Sequence, residues 1–152
     1  MRKDSLTLVE VTIALMLIAM ISVMGALSFN VIDSKILERD VRKIYTDLCW
    51  IREKALATHT NYCLRFFSDN YTIYQNSCGL ASNILRTENL QARIVGGSLP
   101  FDVVFYSSSD ARIGGTADST IGTNGQTSIN LTYGNRTQEI KIYHSTGYIK
   151  IE

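Results

Sequence analysis

Val11-Thr12-Ile13-Ala14-Leu15-Met16-Leu17-Ile18-Ala19-Met20-Ile21-Ser22-Val23-Met24-Gly25-Ala26-Leu27-Ser28-Phe29 is a run of 19 residues without a charge. At about 1.5 Å per residue, a helix over this run spans roughly the 30 Å hydrocarbon core of a bilayer. Ser5-Leu6-Thr7-Leu8-Val9-Glu10 precedes it, so a carboxylate, Glu10, stands at its head. Arg2 and Lys3 lie upstream, which predicts an N-terminus left in the cytoplasm and an exported remainder. The run is longer than the apolar core of a secretory signal peptide, and Ala26-Leu27-Ser28 is a weak cleavage site.

Apolar residues continue beyond Phe29 at helical spacing. Leu37, Val41, Ile44, Leu48, Ile51 and Ala55 recur in steps of three and four, with charged residues between them. No proline interrupts, and the pattern predicts one helix from about Leu6 to Ala57, closed by Thr58-His59-Thr60-Asn61. The first half is apolar all round and needs lipid or other helices around it. The second half is apolar on one side and packs on a folded domain.

From Tyr62 the period changes to alternation. Tyr62–Phe67 and Tyr71–Gln75 read as a hairpin around Ser68-Asp69-Asn70. Leu90–Val95 and Phe101–Tyr106 are further strand candidates. Ser107–Gln126, rich in Ser, Gly, Thr, Asp and Asn, reads mostly as loop. In the tail, Ile129, Leu131, Ile140, Ile142, Ile149 and Ile151 alternate with polar residues. They predict three antiparallel strands with an isoleucine face turned to the helix. The fold class expected is therefore α+β: one long N-terminal helix, half membrane-spanning and half amphipathic, on a small antiparallel sheet.

Composition narrows the chemistry. The 152 residues carry 15 Lys+Arg against 14 Asp+Glu, a net charge of +1, so no broad basic face attracts nucleic acid. His59 and His144 are far apart, and Cys49, Cys63 and Cys78 lack C-x-x-C spacing, so no metal site is expected. No nucleophile elbow or phosphate-cradling loop is present. Neither an enzyme nor a cofactor is expected. An odd cysteine count in an exported domain suggests one disulfide and one spare thiol. Cys63 and Cys78, which flank the first hairpin, are the candidate pair, and Cys49 on the helix reads as a packed thiol.

Ser5-Leu6-Thr7-Leu8-Val9-Glu10-Val11-Thr12-Ile13-Ala14-Leu15, with its short basic leader and long apolar helix, resembles the N-terminal signature of type IV pilins and pseudopilins. Arg52-Glu53-Lys54-Ala55, Asn61–Phe66, Tyr71–Ile73 and Ile140–Ile149 resemble the GspH/FimT-like minor pilins, including the Gram-positive competence pseudopilins. The resemblance implies a leader at 1–5 and a prepilin peptidase cut between Ser5 and Leu6. Ser5 stands where the family usually has Gly, and Leu6 where it usually has Phe. Leu6 would become the methylated N-terminus, and Glu10 would pair with the N-terminal amine of a neighbouring subunit. Segments 6–29, 30–60 and 61–152 become a transmembrane and filament-core helix, an amphipathic shaft and an extracytoplasmic β domain. The implied place is the cytoplasmic (inner) membrane, single-pass with the N-terminus inside, and then a pilus or pseudopilus. The implied partners are other pilins, prepilin peptidase and the membrane assembly platform. The function implied is that of a structural subunit of a type IV pilus, type II secretion or competence filament. An uncleaved single-pass protein with a ligand-binding β domain is the alternative.

Some FimT-like proteins bind DNA through a C-terminal Gly-Arg-x-Arg stretch. Gly147-Tyr148-Ile149-Lys150 occupies that region here without either arginine. Arg136, Lys141 and Lys150 form a thin nucleic-acid patch at most, and a solvated strand face is the preferred reading.

Overall fold

The computed structural model describes residues 7–96, 99–107, 111–114, 125–144 and 146–152, without the side chains of 23–31 and 111–114. Helix α1 runs Leu8–Thr58 and ends at His59, whose left-handed backbone (φ 51°) turns the chain into the β region. Among the described residues nine strands follow: β1 Tyr62–Phe66, β2 Asn70–Gln75, β3 Ile84–Asn89, β4 Arg93–Val95, β5 Phe101–Phe105, β6 Ala111–Gly114, β7 Gln126–Tyr133, β8 Arg136–Tyr143 and β9 Tyr148–Ile151.

These strands make two antiparallel sheets, one of order β3-β2-β1-β5-β6 and one of order β4-β7-β8-β9. The tail alternation sets the second sheet. Ile129 lies opposite Ile140, and Ile142 opposite Ile149, which puts one apolar face on the helix. Gly134 turns β7 into β8 with a positive φ of 59°. A Cβ there would also come within 2.8 Å of the Asp33 carboxylate, so the turn stays tight against the helix only with glycine.

The core is the stripe Leu37, Val41, Ile44, Leu48, Ile51 and Ala55 laid over both sheets. It meets Leu64, Phe66, Tyr71, Ile73, Val103 and Phe105 from the first sheet, and Ile129, Leu131, Ile140, Ile142 and Ile149 from the second. Burying each leucine or isoleucine of the stripe contributes about 1.5–3 kcal/mol relative to leaving it in water.

Two expectations are corrected. The fold is not one membrane-length helix on one small sheet. Strands β3 and β6 fall in stretches without clear strand patterning, and β4 pairs with β7 rather than with its sequence neighbours. Among the described residues two sheets result, of five and four strands. The helix correction concerns its apolar length. Side chains are described over Leu8–Ser22 and Ile32–Thr58, and among the described residues no helix is long and apolar enough to cross a membrane. The single-pass placement in an inner membrane is corrected on that finding.

Candidate functional site

The N-terminal arm of α1 is the most unusual surface of the molecule. Its first residue is capped by Thr7. The Thr7 Oγ1 accepts from the Glu10 N–H at 3.4 Å, and the Glu10 carboxylate accepts from the Thr7 N–H at 3.4 Å. This reciprocal pair is a capping box, which satisfies two amides that a helix start leaves orphaned. Glu10 thus has a local structural task at the head of the apolar run, and it also places negative charge at the positive end of the helix dipole.

Beyond Glu10 the arm shows apolar side chains on every side. Leu8 is 82% exposed, Met16 70% and Ile21 69%. Even its polar residues turn inward, since Thr12 Oγ1 donates to the Val9 carbonyl and Ser22 Oγ to the Ile18 carbonyl, both at 2.8 Å. The surface left outward is hydrocarbon with a carboxylate at one end. A contiguous apolar face of this kind marks an interaction site. Ser5 and Leu6, the residues of the expected cut and methylation, lie outside the described residues.

Cys63 and Cys78 are joined by a disulfide with a Cα–Cα distance of 5.6 Å. Beside it, Arg65 donates to both carboxylate oxygens of Asp102, at 2.7 and 2.8 Å. This two-point bond holds the guanidinium pKa above its ordinary value. Gly79 lies under that guanidinium, where a Cβ would come within 2.9 Å of Nη1. Among the described residues, Cys63, Cys78 and Asp102 are the group with metal-ligand proximity. With both sulfurs bonded to each other, no thiolate is left there to bind an ion. Cys49 is a free, half-buried thiol, and its hydrogen bond is the main cause that raises the Tyr45 pKa.

The tail brings two of the three candidate patch residues together. Lys141 and Lys150 face each other across β8 and β9, while Arg136 sits at the far end of β8. Both lysines are bound by Glu152: Lys150 Nζ donates to its carboxylate at 2.7 Å, and Lys141 pairs with it as well. Lys141 also lies 3.6 Å from Glu139. Those bonds raise both lysine pKa values and pull Glu152 down to about 2. The pair presents little free positive charge to a phosphate.

Two carboxylates escaped the sequence reading. Asp40, 1% exposed, accepts from the Gln91 and Ala92 N–H groups at 2.7 and 2.8 Å and from Arg39 at 2.8 Å. Asp47 accepts from the Tyr71 hydroxyl and pairs with Arg86, each at 2.5 Å. Burial first, and then that hydrogen bond, drive the Tyr71 pKa far above the ordinary phenol value. The available signal was their spacing. Asp40 and Asp47 are seven apart and adjoin Val41 and Leu48, which puts both on the flank of the buried stripe.

Neither a protein-family model, nor a curated protein, nor a solved structure matches this chain.

Proposed function

We propose that the chain is a structural subunit of a helical filament of the pseudopilin kind, assembled through its N-terminal helix after a cut between Ser5 and Leu6. The observation that supports this reading is the uncovered apolar arm, Leu8 to Ile21, on a helix whose other half buries its apolar stripe against the two sheets. An arm apolar on all sides is satisfied by neighbouring helices that surround it, and a bundle of identical arms supplies them. The β domain then lies outside that bundle and sets which partners the filament meets. Mechanism here is association: water leaves the arm surface, and at about 25 cal/mol per Å² the apolar area supplies the drive.

The test uses the chain beginning at Leu6, in buffer without detergent, followed by sedimentation and electron microscopy. Regular assemblies are expected, and Ile18→Asp, a charge in the middle of the arm, should leave only small species. Assemblies that survive Ile18→Asp would defeat the reading. Glu10→Gln separates the two tasks of Glu10. A glutamine still completes a capping box but cannot neutralise an amine. Loss of assembly in Glu10→Gln supports pairing with a neighbour's N-terminus, and unchanged assembly leaves Glu10 as a cap alone.

A further inference from the structure

Among the described residues, strand β3 is an edge strand: it pairs with β2 and with no strand on its other side. Edge strands commonly carry charges that discourage a further strand. Here those charges are drawn back onto the helix. Arg86 is bound by Asp47 at 2.5 Å, and Glu88 by Lys43 at 2.5 Å, with Arg86 and Glu88 joined to each other at 2.9 Å. Ile84 and Leu85 remain 44% and 46% exposed. Leu85 is also the extra residue of a bulge, since Tyr74 faces Ile84 and Ile73 faces Arg86. A bulge re-aims a side chain, and Leu85 lines a recess of about 480 Å³ between β3 and the last turns of α1. Trp50, Lys54, Thr58 and Ile73 line it too.

We infer that this edge and recess receive an extended acidic segment of a protein partner, added as a further strand beside Arg86–Asn89. Four residues there keep regular pairing to β2, so their outward amides and carbonyls repeat at strand spacing and can bond a new strand. One apolar side chain of the incoming segment fills the recess against Trp50 and Leu85. Charge selects the partner. Of the two cations lining the recess, Arg86 is already paired with Asp47 and Glu88, which leaves Lys54 to meet an acid. Lys54 lies over the Trp50 ring, 4.9 Å from its centroid, and among the described residues forms no ion pair, so its ammonium is placed to meet an acid.

Trp50 is the single tryptophan of the chain, so its emission reports the recess directly. The probe is a synthetic peptide alternating valine and aspartate, titrated into the full-length protein. Saturable binding with a blue shift of Trp50 emission is expected. Lys54→Glu, a change at an exposed position, should weaken it by about tenfold, the scale of one lost charge contact. A peptide methylated on its backbone amides should not bind, because it cannot extend the sheet. No emission change, equal binding of the methylated peptide, or equal binding of a valine–lysine peptide would each overturn the proposal. Peptide binding that disappears as protein concentration rises would also overturn it, in favour of a second copy on the same edge.

Discussion

Helix α1 contains two stretches of similar hydrophobicity with opposite surroundings. In the arm, Val11, Ile13, Leu15 and Ile18 are 45–61% exposed; in the shaft, Val41, Ile44, Leu48 and Ile51 are at most 1% exposed. What separates them is pattern, not content. In the shaft, charges at Glu38, Arg42, Lys43 and Lys54 confine the apolar residues to one stripe, which the two sheets cover. The arm has no such confinement, and no single sheet can cover a helix on all sides. A partner for the shaft is therefore built into the same chain, whereas among the described residues nothing covers the arm.

The sharpest way to break this contrast is a matched pair of truncations. Leu48→Ala removes a fully buried side chain from the face of the helix that packs on the sheets and should cost about 2–5 kcal/mol of stability. Leu15→Ala, in the arm, should change the unfolding of the domain by no more than about 0.5 kcal/mol. Chemical denaturation followed by Trp50 emission reads both, since Trp50 sits on the shaft. Similar losses from the two variants would mean that the arm is already packed on something, and the contrast would fall.

A smaller effect tests how the shaft is fastened. Asp40 holds the backbone leading into β4, the strand that begins the second sheet. Asp40→Ala leaves two amides without their acceptor, one of them buried, at a cost of about 2–3 kcal/mol. Hydrogen exchange should show that loss first at Gln91 and Ala92. Arm amides should be unaffected, because no hydrogen bond of the arm reaches the sheets among the described residues.

The legibility of the chain followed the same divide. The buried stripe and the tail strands could be read because periods of 3.6 and 2 are written in side chains with one wet and one dry face. Tyr62, Tyr71, Phe101 and Ile129 all lie in strands near the positions expected. Strand β3 was not legible: Ile84-Leu85-Arg86-Thr87-Glu88-Asn89 is exposed nearly throughout and shows no alternation. Its place is fixed by β2 on one side and by Asp47 and Lys43 on the helix, which are long-range contacts. The separation into two sheets was hidden for the same reason, because Arg93–Val95 finds its partner in Asn130–Thr132. The apolar N-terminal run led to a membrane reading that the described arm does not sustain. Hydrophobicity alone states that a surface must be covered, and does not state by what.

The least effect expected is one of pH, and it bears on the domain without touching the arm. His144 follows β8, where its Nε2 lies 2.8 Å from Thr127 Oγ1 and its backbone N–H donates to the Gly125 carbonyl. Burial lowers its pKa below the ordinary 6.5, so the folded state keeps the ring neutral where the unfolded chain takes up a proton. The sign follows. Stability from this group is complete above about pH 6.5 and declines as pH falls from there toward the lower folded value, then levels off. Denaturation midpoints measured from pH 7.5 to 5 should show that decline, and His144→Gln should flatten it. If the arm carries no buried titrating group, sedimentation of arm-mediated assemblies should not follow the His144 curve across the same range. A shared midpoint would tie arm and domain into one cooperative unit, against the independence that their exposures imply.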